Sequence, residues 1–181
     1  MSGLPPVGAE IPCSGLAVNT PLKIRDALVS VDFRGGIKHR VEHNPDDPGN
    51  SVRLRIVGHR MSAELPGGDT VNDGGGTVTI EQNEVDAEAE STLRLTQQNP
   101  PRYEHRNILS FTMTIDQPGE DGSGPLVLTT KKPMILVGQL TQFPPRGDLY
   151  KLEQPVELVD PDNPDDVLAV IHKFPVKVGG L

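Results

Sequence analysis

The chain has 181 residues, a net charge of −8, 3% aromatic residues and no Trp. An acidic surface does not neutralise phosphates, and so few rings leave little for bases or sugars to stack on, which argues against nucleic acid, anionic membrane surfaces and carbohydrate as partners. The length suits one domain with a sizeable core; Cys13 is the single cysteine, and no apolar run nears the roughly 20 residues of a membrane span.

The opening stretch MSGLPPVGAEIP has no basic start and no apolar segment of signal-peptide length, so a cytoplasmic protein is expected. Residues 1–20 are rich in Pro and Gly and read as an N-terminal arm, flexible or packed across a single β-barrel domain of residues 21–181. Thr20-Pro21 resembles a helix cap followed by Pro at the first helical position, but Val29, Val31 and Phe33 soon alternate, leaving room for one turn at most. Gly35-Gly36 then closes a first strand, and Lys38–Glu42 returns as its hairpin partner. In Ser51–Leu65 the apolar residues switch from even positions (Val52, Leu54, Ile56) to odd ones (Val57, Met61, Ala63, Leu65), which predicts a bulge near Gly58. Thr77–Glu81 and Thr92–Thr96 are shorter strands, and Asp86–Glu90 suits a helical turn.

Ile108–Asp116 reads as one strand with Leu109, Phe111, Met113 and Ile115 on its apolar face. Its other face, Ser110, Thr112, Thr114 and Asp116, is either a solvated exterior or the polar lining of a barrel. Leu126–Thr130, Met134–Phe143, Leu149–Val159 and Val167–Val178 are nearly unbroken apolar runs, of the kind buried on both faces. A lid, a second layer or a second copy in a homodimer would cover them. Turn clusters at Asn44–Asn50, Pro66–Gly76, Gln117–Pro125 and Asp160–Asp166 separate the runs. The sum is an all-β chain of roughly nine or ten strands, an antiparallel barrel, with a sandwich as the alternative.

Motif matches do not withstand their mechanisms. His39-Arg40-Val41-Glu42-His43 spells a zinc-protease motif, but that chemistry needs a helix and the flanking Gly35-Gly36 and Asn44-Pro45 forbid one, so an exposed hairpin strand is expected. Asp160–Asp166 lacks the Gly and the final acid of a calcium loop. Gly74-Gly75-Gly76 lacks the Lys-Ser/Thr of a phosphate loop. No cofactor or metal is expected. The candidate catalytic residues are His172, placed on a strand face with Leu168, Val170 and Phe174; His59, beside Val57 and Met61; Asp116, ending the Ser/Thr face; and Tyr150, alternating with Leu152. Imidazole on an apolar wall stays neutral near pH 7 and can take or give a proton. A buried phenol needs a partner for its hydroxyl.

The strand-rich second half, Ile108–Asp116 through Val167–Val178, resembles the small cofactor-free cyclases of actinobacterial polyketide pathways, among them spiroacetal (spiroketal) cyclases and lipocalin-like barrels that catalyse Diels–Alder closures. That resemblance implies a barrel holding a flexible, mostly apolar small-molecule substrate and closing a ring in it, as a cyclase or isomerase of secondary metabolism. Non-catalytic carriage of an apolar ligand and a structural β-sandwich module are the alternatives.

Overall fold

The structure, a computed structural model, describes residues 4–24, 27–65, 76–83, 91–116 and 125–180. It is an all-β, antiparallel barrel architecture of thirteen strands, with no helix among the described residues. In chain order the strands are β1 (Glu10–Ile24), β2 (Ala27–His43), β3 (Ser51–Glu64), β4 (Thr77–Gln82), β5 (Thr92–Gln98), β6 (Pro101–Leu109), β7 (Phe111–Asp116), β8 (Leu126–Thr130), β9 (Met134–Leu140), β10 (Arg146–Leu152), β11 (Val156–Asp160), β12 (Asn163–Ile171) and β13 (Val176–Gly180).

The three longest strands are shared between two closures. One ring of eight runs β1-β2-β3-β4-β7-β8-β11-β12 and closes where Leu22–Ile24 pairs with Ala169–Ile171. The other ring of eight runs β1-β2-β3-β5-β6-β9-β10-β13 and closes where Ser51–Arg53 pairs with Thr92–Arg94. Closure removes the open edges that would otherwise seek another chain. β2 turns Val31, Phe33, Ile37, His39 and Val41 inward as buried residues, with the exposed Gly35 between the two groups. β1 and β3 keep pace only by changing phase. β1 has a register shift between Ala17 and Thr20, with Asn19 at φ 52°, a left-handed conformation that Asn tolerates better than most residues. β3 loses register between Lys38↔Gly58 and His39↔Ile56, leaving Val57 as the extra residue. The bulge expected near Gly58 is therefore present.

At the waist, Gly15 of β1 faces Gly35 of β2, which faces Met61 of β3. A Cβ on Gly35 would stand 1.9 Å from the Arg60 carbonyl oxygen, so the strands pinch together only because no side chain is there. Phe33 and Phe174 fill the waist edge-to-face, their ring centroids 5.6 Å apart.

Several sequence expectations are corrected. The arm assigned to residues 1–20 is strand from Glu10 onward, and Thr20-Pro21 lies inside β1 rather than in a helical turn. Gly35-Gly36 does not end a strand; it sits within β2, so Lys38–Glu42 continues that strand instead of returning as a hairpin. Ile108–Asp116 is divided at Ser110, where the chain leaves the second ring for the first, and Leu149–Val159 is divided into β10 and β11. At Ser110 alternation continues across the break, so hydrophobic pattern alone does not reveal it. Asp86–Glu90 and Gly74-Gly75 lie outside the described residues. No helix of the described chain is long and apolar enough to cross a membrane.

Candidate functional site

The two rings differ in what they enclose. The first is filled by apolar side chains such as Leu22, Ile80, Phe111, Met113, Leu128 and Leu158, each fully buried. The second buries a polar cluster among its aliphatic residues: His39 of β2, His105 and Asn107 of β6, and Tyr150 of β10. His39, His105 and Tyr150 are each only 1% exposed, where polar groups without partners are costly.

Local register builds the cluster. His105 pairs with Gly138 of β9, and Tyr150 lies one strand further on, in β10. A Cβ on Gly138 would stand 2.8 Å from the Tyr150 ring, so the ring lies flat over the glycine. That path lets the Tyr150 hydroxyl reach His105 Nδ1 in a short, buried hydrogen bond. The imidazole and phenol rings meet edge-on at 5.2 Å between centroids. Across the interior, His39 stacks edge-on against His105 at 5.1 Å, and Phe143 packs against both imidazoles, at 6.3 Å and 5.7 Å.

Burial holds every group of the cluster neutral. Desolvation pushes His39 down to about 4, with Asn107 opposing it by favouring the protonated ring. His59 is also held at about 4, by desolvation and then by the neighbouring His39. His105 falls well below the usual imidazole value for the same two reasons. Desolvation raises the Tyr150 phenol well above its ordinary value, and Cys13 and Asp148 add to the effect. The buried Cys13 thiol itself is pushed up to about 11, which makes it inert near neutrality. With the Tyr150 hydroxyl donating to His105 Nδ1, the ring proton of the neutral His105 sits on Nε2.

That Nε2 has no hydrogen-bond partner. Neither do both ring nitrogens of His39, His59 Nδ1 and Asn107 Oδ1, although the Asn107 side chain is close enough to His39 to hydrogen-bond its ring once that is protonated. Each such orphaned atom costs about 1–3 kcal/mol, and native proteins carry few of them, so a cluster in one chamber points to use. The cavity among Met61, Asn107, Leu136, Tyr150 and Phe174 is small, about 20 Å³, and His59 forms part of its wall. A larger recess of about 670 Å³ near Asn19, Asp32, Arg34 and Glu64 is open, and its charged side chains face solvent; Asp32 already accepts the Asn19 amide at 2.7 Å. None of the orphaned buried atoms lies there, so the polar chamber is the better candidate.

The residues singled out from sequence separate in space. Tyr150 is in the cluster, and His59 borders it from β3, half-buried. His172 is exposed: β12 turns its odd residues Ala169 and Ile171 inward and leaves Leu168 and Val170 half-buried, so His172, in phase with the latter pair and just past the strand's end, faces outward. Asp116 is exposed at the end of β7, in the ring that lacks the polar cluster. The Ser/Thr stripe is partly covered, with Ser110 buried and Thr112 and Thr114 half-buried. Sequence reasoning missed His39 and His105. His39 was read only as part of a metal motif on an exposed hairpin, yet it is buried on β2, two residues from each of Ile37 and Val41; that alternation was the available signal. His105 is flanked by Glu104 and Arg106 and gives no comparable signal until Tyr103, Asn107 and Leu109 are seen to share its face. Among the described residues no group of His, Cys, Asp and Glu is arranged to hold a metal ion.

No family model matches the sequence, and no curated protein matches it. Among solved structures, the chain is similar to DynF from the dynemicin biosynthesis pathway of Micromonospora chersina, at 16% identity, over 99% of this chain and 84% of that one, with a TM-score of 0.66. At that identity the likeness establishes a shared fold.

Proposed function

We propose that the polar chamber of the second ring receives an uncharged, mostly apolar small molecule and handles a proton on it, as a cofactor-independent cyclase or isomerase of secondary metabolism. The observation that carries this reading is the set of orphaned nitrogens and oxygen on His39, His59, His105 and Asn107; His59 and Asn107 line one cavity, and the His39 and His105 rings stand 5.1 Å apart. A fold neighbour from a biosynthetic pathway agrees with the setting.

The chemistry follows from the neutral state of the cluster. With Nε2 protonated, His105 can donate a hydrogen bond to a carbonyl oxygen, and Tyr150, hydrogen-bonded at Nδ1, holds the ring in that tautomer. His39, neutral and opposite, can accept a proton from a hydroxyl. In spiroacetal formation from a dihydroxyketone, one hydroxyl oxygen bonds to the carbonyl carbon and its proton passes to the new hemiketal oxygen. The second hydroxyl oxygen then replaces that hydroxyl, which leaves as water. Both steps move one proton on and one off, as a pair of facing imidazoles allows. Holding the ends of a flexible chain together supplies about 7–11 kcal/mol of barrier reduction, and acid–base assistance about 10²–10⁴ in rate.

A second reading is non-catalytic carriage of an apolar ligand, for which the Met61, Leu136 and Phe174 side chains of the cavity wall speak. Incubation with a dihydroxyketone separates the two. Spiroacetal formed in enantiomeric excess, and lost in Tyr150→Phe and His105→Gln, supports catalysis. Binding without turnover leaves carriage. Racemic product at the uncatalysed rate, with no thermal shift on adding the ketone, sinks both.

A further inference from the structure

Three histidines meet in the polar chamber, and a proton on one opposes a proton on the others. The His39 and His105 rings stand 5.1 Å apart, and a charge on His39 acts against one on His59 or His105. Away from water that repulsion is poorly screened, so the chamber takes up one proton at a time. The three rings differ in their partners. His105 is engaged at Nδ1, where Tyr150 donates, and its ring proton stays on Nε2. At His59, burial and the nearby His39 both act against a charge. At His39 one group acts the other way, and that group is Asn107.

Asn107 lies two residues beyond His105 on β6, and period two turns both side chains inward, where both are buried. β3 and β5 stand between β2 and β6 around the ring, so Asn107 approaches His39 across the interior. Its side chain is close enough to hydrogen-bond the His39 ring once that is protonated. Asn107 Oδ1 and both His39 nitrogens are buried without another partner, and Asn107 also lines the cavity. An imidazolium offers two N–H donors, one for Asn107 Oδ1 and one for a substrate oxygen. Hydrogen bonds from a charged donor are about twice as strong as neutral ones, so the amide favours the charged ring. We infer that Asn107 is the positioning residue that makes His39 the proton acceptor of the chamber and leaves His105 as the donor to the carbonyl. The inference rests on the catalytic reading above and divides its roles. As the hydroxyl oxygen bonds to the carbonyl carbon, its O–H bond breaks and the proton passes to His39. The carbonyl π electrons move to the carbonyl oxygen, which accepts a hydrogen bond from His105 Nε2. His39 then returns the proton to that oxygen, giving the neutral hemiketal.

Histidine ring signals in carbon-edited NMR, followed from pH 8 to pH 4.5, test the assignment without any substrate. Asn107→Leu exchanges an unpartnered buried oxygen for an apolar group of similar size, so the fold should hold. The protonated fraction of His39 at pH 4.5 should fall about tenfold in this variant, while the Nε2-protonated tautomer of His105 stays. Asn107→Asp keeps the acceptor and should restore or exceed wild-type protonation of His39; it tests the same contact if Asn107→Leu folds poorly. With a dihydroxyketone, Asn107→Leu should lower kcat about tenfold at unchanged KM. A wild-type His39 titration in Asn107→Leu overturns the inference and leaves the catalytic reading standing. A shifted titration at wild-type kcat overturns it too, because the proton then goes elsewhere. Absence of turnover in the wild-type protein overturns the catalytic reading, and the titration still decides whether Asn107 acts on His39.

Discussion

Tyr150 reaches His105 by lying across Gly138, and the absence of a side chain at that one position on β9 is what brings the phenol to Nδ1. Gly138→Ala places a methyl group 2.8 Å from the ring, and the ring must move. Overpacking of this kind costs about 1–3 kcal/mol. Urea unfolding should show that loss together with a change in tyrosine absorbance, since only Tyr103 and Tyr150 carry phenols. A variant with wild-type stability and spectrum would mean that the ring is not held by the glycine.

Tyr150→Phe keeps the packing and removes the hydroxyl. His105 Nδ1 then joins Nε2 as a buried atom without a partner, at about 1–3 kcal/mol. The same variant should abolish the proposed turnover while retaining ligand uptake, because the apolar contacts survive. Loss of uptake with turnover per bound ligand preserved would contradict the assigned roles.

Stability should fall on mild acidification. His39 and His59 titrate near 4 when folded and near 6.5 when unfolded, and His105 is shifted in the same direction. Between those values the unfolded chain binds protons that the folded chain refuses, so unfolding is favoured as pH drops. The stabilisation is complete above about pH 6.5 and is lost progressively toward pH 4. For His39 the full effect is at most about 3 kcal/mol. Denaturant midpoints measured from pH 8 to pH 4.5 should show the decline, and His39→Gln should flatten it. A flat wild-type profile would mean that the imidazoles are not buried neutral.

Gly35→Ala should not be tolerated. The added carbon would overlap the Arg60 carbonyl oxygen at 1.9 Å, and the shared strands have no flexible side chain there to give way. A loss exceeding about 3 kcal/mol, or no soluble protein, is expected. By contrast, His172→Ala and Asp116→Asn alter exposed positions and should stay within about 0.5 kcal/mol of wild type. Their ligand uptake should also be unchanged, a direct test of whether either residue acts in the chamber.

The alternation in Val52–Ile56 and Met61–Leu65, with its change of phase, determined the strand and its bulge, because side-chain direction in a strand has period two and any extra residue inverts it. The all-β class was legible for the same local reason, as were the buried Phe111, Met113 and Ile115. Where strands continue and where they part was not. Gly35-Gly36 has the composition of a turn, and its strand conformation comes from the close approach of β3 to β2 at that point. Tyr150 was legible as a buried phenol in need of a partner, but that partner lies 45 positions away in sequence and one strand beyond its neighbour. The union of His39, His105, Asn107 and Tyr150 in one chamber depends on which strands close each ring, and ring closure is a long-range pairing that local periodicity does not encode.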